Sequence, residues 1–172
     1  MRVRKNLIGL IVAGLAVGLV GGCSGSESKP AGMFDPCQEF SKSALRSAGY
    51  DPETRKDVPT IGDYSVKCQF TSFSGHETLS LEHPSVVAPV RSYEAYLAAA
   101  QSAVNRPGGQ APTVTKINGR DAYVGPETIL GCTVSLRTAT GVMTVEVAYA
   151  NGNTCVGAQN AATILEPGIG TR

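Results

Sequence analysis

The chain has 172 residues, of which 42% are apolar and 17% charged, with 6% aromatics and no Trp; this is the composition of a globular protein, and it argues against a disordered one. Its formal charge of +1 depends on Arg2, Arg4 and Lys5, and without those three of its 15 basic residues 12 stand against 14 acidic ones, a net of −2. A near-neutral chain without basic clusters lacks the electrostatic footprint that phosphate binding demands, so nucleic acid is not among the expected partners.

Arg2, Arg4 and Lys5 precede an apolar run from Leu7 to Val20, the pattern of a secretory signal peptide and short of the ~20 residues that a membrane-spanning helix needs. Leu19-Val20-Gly21-Gly22-Cys23 looks like a lipobox, with an aliphatic residue, two small residues and a cysteine. Small residues let a peptidase draw backbone into its site, and a thiol supplies the sulfur for a thioether to a diacylglyceryl group. The expectation is a signal peptide over 1–22, cleavage between Gly22 and Cys23, and lipid on Cys23. Arg2 and Arg4 are not adjacent, which favours the general secretory route over twin-arginine export. The stretch 23–33, with Ser24-Gly-Ser-Glu-Ser-Lys-Pro-Ala-Gly32, has the composition of a flexible tether. Two or three acyl chains hold stably where one does not. Lipid on Cys23 therefore sets the expected localisation at the outer face of the cytoplasmic membrane.

Residues 34–172 read as one α+β domain. Asp35-Pro36-Cys37-Gln38 has the form of a helix start, with Asp35 as N-cap and Gln38 completing a capping box, and Gly49 is placed to end the helix. Strands are expected over Tyr64–Ser72 and Thr78–His83, then an alanine-rich helix over Ser92–Val104 stopped by Pro107-Gly-Gly109. Strands follow over Thr113–Asn118, Asp121–Val124, Ile129–Thr138 and Val142–Ala150, separated by Asn118-Gly119, Gly125-Pro126 and Thr140-Gly141 turns. A last helix is capped by Thr154, carries Cys155, Ala158, Ala162 and Leu165 on one face, and ends at Pro167-Gly168. The order α-β-β-α-β-β-β-β-α with hairpin-length connections implies a mostly antiparallel sheet covered by about three helices.

With Cys23 assigned to lipid, Cys37, Cys68, Cys132 and Cys155 form an even set in an oxidising compartment, open to three pairings. Cys37 and Cys155 each open a helix. Cys68 alternates with Tyr64, Val66 and Phe70, and Cys132 with Leu130, Val134 and Leu136, which places both on inward faces of strands. These settings favour Cys37–Cys68 and Cys132–Cys155, each tying a helix start to a strand. The rival reading is a reactive thiolate at a helix N-terminus, but the chain has no Cys-x-x-Cys motif.

Taken together, Phe34-Asp35-Pro36-Cys37, Cys68 with an aromatic two residues on, Ile117-Asn118-Gly119-Arg120-Asp121-Ala122, and Cys155 opening a helix that ends Leu165-Glu166-Pro167 resemble the actinobacterial lipoprotein family of domain of unknown function number 3558, which includes mycobacterial lipoproteins. The resemblance spans nearly the whole mature chain. Phe70 stands where many members carry Trp. The resemblance implies a cell-envelope lipoprotein and supplies no catalytic residues.

Reaction signatures are sparse. His76 and His83 are seven residues apart and lack a zincin arrangement, and neither a Gly-x-Ser-x-Gly elbow nor a P-loop is present. Ser41-Lys42-Ser43 and Ser65-Val-Lys67 bring hydroxyls near amines, as surfaces commonly do. Asp51-Pro-Glu53, Asp57 and Asp63 lack the ligand spacing of a calcium loop and read as a solvated loop. Six tyrosines, Tyr50, Tyr64, Tyr93, Tyr96, Tyr123 and Tyr149, divide between core and groove. The expectation is a non-enzymatic envelope module that needs no cofactor and presents a groove to an envelope protein, a lipid or a cell-wall fragment. The alternative is an envelope enzyme or thiol-active protein whose site is assembled only in space.

Overall fold

A computed structural model describes residues 34–85, 89, 91–105, 109–148 and 153–170. The leader, the Gly22–Cys23 junction with its lipidation site, the 23–33 tether and Tyr149 lie outside the described residues. Within them the fold is α+β: a seven-stranded, wholly antiparallel sheet with four α-helices and two disulfides. The strands are β1 (Tyr50–Asp57), β2 (Ser65–Ser72), β3 (Thr78–Pro84), β4 (Thr113–Ile117), β5 (Arg120–Val124), β6 (Cys132–Thr138) and β7 (Gly141–Ala148). They lie in the order β1-β2-β3-β7-β6-β5-β4. The helices are α1 (Pro36–Glu39), α2 (Lys42–Ser47), α3 (Tyr93–Ser102) and α4 (Thr154–Leu165).

Alternation along the strands divides the sheet into two unlike faces. Cys68, Phe70, Leu79, Leu81, Val134, Leu136, Met143, Val145 and Val147 point to one side and are fully buried or nearly so. That face is covered by α1 and α2 over β1–β3 and by α4 over β4, β6 and β7. Cys37–Cys68 fastens α1 to β2 and Cys132–Cys155 fastens α4 to β6, the pairing that the cysteine settings favour. Both helix-start sulfurs are thereby used in disulfides. Closing loops of 31 and 23 residues lowers the entropy of the unfolded chain enough to stabilise the fold by about 3.5 kcal/mol per bridge.

The details differ from the sequence reading at several places. First, the opening helix is two. Phe40 is extended (ψ 128°), and Ser41 restarts the helix by accepting from the Ala44 N–H at 3.1 Å; a cap at Ser41 lets Phe40 turn back edge-on to Phe34, with ring centroids 5.3 Å apart. Second, Glu39, not Gln38, reaches back to the Asp35 N–H, at 2.9 Å, while Asp35 accepts from the Cys37 N–H. Third, Tyr50–Asp57 is a strand and not a solvated loop. It is an edge strand, where Pro52 and a run of charges are tolerated, and it bulges between Asp51 and Lys56. Thr54 Oγ1 accepts from the Thr71 N–H at 2.8 Å there, in place of a carbonyl.

Fourth, β6 begins at Cys132. Ile129 and Leu130, expected in that strand, form the tip of a tight Thr128–Gly131 turn and are 98% and 63% exposed. Thr128 Oγ1 donates to the Gly131 carbonyl and accepts from the Leu130 N–H, and a Cβ on Gly131 would stand 2.2 Å from the Val147 carbonyl oxygen. The turn is held too closely against β7 for the strand to extend backwards. Fifth, Asn153 caps α4 through the Val156 N–H, whereas Thr154 donates both its N–H and its hydroxyl to Glu127 Oε1. Tyr64, likewise expected to face inward, precedes β2 in helical backbone and is 56% exposed.

Two of the motifs singled out in the sequence meet in space. Arg120, from the Asn118-Gly119-Arg120 hairpin, is buried against Glu166, from Leu165-Glu166-Pro167, with Nε donating to Oε1 at 2.7 Å. Its other nitrogens donate to the carbonyls of Arg137, Ile169 and Gly170. One guanidinium thus ties the β4–β5 turn, β6 and the C-terminal tail together. Because breaking a buried pair leaves an uncompensated charge, Arg120→Met is expected to cost about 3–5 kcal/mol, and Arg120→Met with Glu166→Leu to recover much of that loss. Urea unfolding of the three proteins measures both; a single variant as stable as the parent would contradict the role given to the pair.

Candidate functional site

The second face of the sheet is built differently. Its outward residues are mostly polar: Lys67 and Gln69 on β2, Ser80 and Glu82 on β3, Thr144 and Glu146 on β7, and Thr133 and Ser135 on β6, with Tyr123 and Val142 the apolar exceptions under α3. Only α3 crosses it. Ser92 caps α3 through the Ala95 N–H, and its packing is a small cluster of Tyr93, Tyr123 and Val142, with Tyr96, Leu97 and Ala100 against it. Val104, where the sequence places the end of this helix, is 42% exposed. A ten-residue, alanine-rich helix cannot cover a seven-stranded sheet, and clefts remain on both sides of it.

The first cleft, about 460 Å³, lies between the start of α3 and the ends of β2 and β3. Tyr64, Tyr96, Pro84, Pro89 and Val142 give it apolar walls, and Ser65, Glu82, Thr144 and Arg91 give it polar groups. Ser65 donates its hydroxyl to Glu82 Oε1 at 2.7 Å, and Lys67 Nζ sits 3.5 Å from both Glu82 and Glu146. Arg91 is exposed and makes no ion pair among the described residues. Burial raises the Tyr96 phenol above its ordinary range, so it stays a neutral donor at physiological pH. The second cleft, about 420 Å³, lies beyond the other end of α3 beside Tyr123, Pro112, Thr133 and Ser135. Thr144 borders both.

A clamp of exposed charges holds α3 down. Arg137, on β6, lies 4.5 Å over the centre of the Tyr93 ring and pairs with Glu94 on the helix. Its Nε is 3.2 Å from Asp121, out of hydrogen-bond alignment, and Lys116 bonds Asp121 at 2.6 Å. The Tyr93 hydroxyl is buried without a hydrogen-bond partner among the described residues.

Neither histidine borders either cleft. His83 is fully buried on the opposite, apolar side of the sheet, where Nδ1 meets the Pro84 carbonyl at 2.9 Å and Nε2 meets the Thr138 and Thr140 hydroxyls at 3.1 and 3.3 Å. Phe34 stands edge-on to it. His76 is exposed in the β2–β3 turn. Ser41 caps a helix, Ser65 bonds a carboxylate, and Tyr50 is a buried core residue whose phenol is raised by burial and by Glu77. Among the described residues no group of three His, Cys, Asp or Glu is spaced to hold a metal ion, and no helix is long and apolar enough to cross a membrane.

Comparison with family models, with curated proteins and with solved structures finds no match to this chain.

The clamp gives α3 a pH and salt dependence of its own. Glu94 is held below its ordinary pKa by its own backbone N–H and by Arg137, and Asp121 by Lys116 first and Arg137 after it. Groups lowered in the folded state stabilise it above the unfolded carboxylate pKa, and that contribution disappears as pH falls through the folded value. Docking of α3 is therefore expected to be intact at neutral pH and to loosen below about pH 4, and Arg137→Ala is expected to loosen it at neutral pH by about 0.5–1 kcal/mol. Hydrogen exchange is the measurement. Protection should fall in residues 93–102 while β3 and β7 stay protected; uniform loss would show that the clamp is not local.

Proposed function

We propose that this chain is a cell-envelope lipoprotein of the actinobacterial type it resembles, held by lipid on Cys23 at the outer face of the cytoplasmic membrane. Its folded part is a non-enzymatic module that takes a small ligand or a partner segment in the clefts flanking α3. The observation that carries the binding reading is the asymmetry of the sheet. Among the described residues one face is sealed by three helices and two disulfides, while the polar face is left to a single short helix with clefts of ligand size on both sides. Mixed walls of tyrosine and proline with a few convergent polar groups suit recognition of an amphipathic molecule.

Support for a binding role over a catalytic one comes from where the reactive groups are. The four cysteines are disulfide-bonded, His83 is enclosed on the other face, and the Ser65 hydroxyl is already engaged by Glu82. Support for the envelope location comes from those two bridges, which suit an oxidising compartment, and from the leader and lipobox read in the sequence.

Mass spectrometry of the protein from membranes of its own host tests the anchor. The expected N-terminal peptide begins at Cys23 and carries a diacylglyceryl thioether, and Cys23→Ser is expected to keep the fold and lose membrane retention. An unmodified Cys23 in membrane-retained protein would refute the anchor.

A further inference from the structure

The sheet has two ends, and they are not equivalent. At one end lie Phe34, where the described domain begins, the close of β3 at His83–Pro84, the residues just before β2, and the β6–β7 turn. At the other lie the β2–β3 turn with Phe73 and the Thr128–Gly131 turn with Ile129 and Leu130 at its tip. The separation is roughly 25 Å, the length of an eight-residue strand such as β2.

The first end carries a fixed projection. Ile61 opens a single 3-10 turn and is 95% exposed, and Gly62 takes a positive φ of 67° to make the turn. The turn is pinned on both sides: the Thr60 hydroxyl donates to the Ser65 carbonyl at 2.7 Å, and the Ser85 N–H donates to the Tyr64 carbonyl at 2.8 Å. Tyr64, 56% exposed, stands beside it at the rim of the first cleft with Arg91. One exposed apolar side chain is unremarkable. An isoleucine at the tip of a pinned turn, flanked by a tyrosine and an arginine, is the set of side chains that partitions into the boundary layer of a bilayer.

Chain length favours the end nearer Phe34. Ten residues, Ser24 to Met33, separate Cys23 from Phe34; a chain of that length reaches about 40 Å fully extended and has a relaxed span of about 15–20 Å. To bring the far end to the membrane the same chain would have to stretch along the ~25 Å of the sheet, past its relaxed span and at a cost in chain entropy. The near end is presented at no such cost. Resting on the reading that Cys23 carries lipid, we propose that this end docks on the bilayer, with Ile61 entering the acyl boundary and Tyr64 at headgroup level. Apolar and aromatic contact leads there, with Arg91 beside it. A contact this small would not hold a free protein; the anchor supplies the high local concentration that makes it count. The first cleft is thereby held at the headgroup layer, while Ile129 and Leu130 face away from it.

The absence of Trp makes the test direct. The lipidated full-length protein, as Ile61→Trp and separately as Ile129→Trp, is placed in mixed phosphatidylcholine and phosphatidylglycerol vesicles with and without brominated acyl chains. The docked arrangement predicts blue-shifted emission at position 61 that is lost to brominated lipid, and unshifted, unquenched emission at position 129. Protein that floats with the vesicles while both tryptophans behave alike, or while only the one at 129 is quenched, overturns the docking and leaves the anchor standing. Protein that does not float with the vesicles overturns the anchor, and the docking with it.

Discussion

Two cysteine bridges on one face of the sheet set the terms for the rest of the molecule. Each fixes the first turn of a helix to the strand beneath it, Cys37 to β2 and Cys155 to β6. Once α1, α2 and α4 are committed to that side, the apolar alternation of β2, β3, β6 and β7 has one direction in which it can be buried. The other face must then remain polar, because a one-residue slip in register would turn the core outward. Lys67, Glu82, Thr144 and Glu146 follow from that choice as much as Leu81 and Val145 do.

The residual cover on the polar face is weak in kind as well as in size. The core face is held by the burial of large aliphatic side chains, whereas α3 relies on two tyrosines, a valine and a surface cluster of Arg137, Glu94 and Asp121. Exposed charge pairs are screened by salt and contribute little individually. The helix that separates the two clefts is thus the element least firmly attached to the sheet, an arrangement that suits a site required to open.

The sequence disclosed what depends on local chemistry. The helix starts at Asp35 and near Thr154, the Asn118-Gly119 turn, six of the seven strands and both bridges are written in neighbouring residues. It concealed what depends on the sheet as a whole. Tyr50–Asp57 is a strand because β2 offers it an edge, not because its charged, proline-bearing residues favour extension. Leu130 and Tyr64 fit an inward alternation on paper, and tight turns at Thr128–Gly131 and Thr60–Ser65 place them outside. The clefts were legible only as tyrosines without an assigned place, since Tyr64 and Tyr96 come together across 32 residues through the crossover that carries α3. Arg120 and Glu166 likewise stood in separate motifs with no sequence signal that they pair.

The central claim is that the α3 face is the working face. Site-specific photocrosslinking in the host cell tests it most directly, with a benzoylphenylalanine at position 96 in the cleft and, in a second protein, at position 164 on the helix covering the opposite face. Discrete, saturable adducts are expected from position 96 and none from position 164. Adducts of equal yield from both positions, or from position 164 alone, would contradict it.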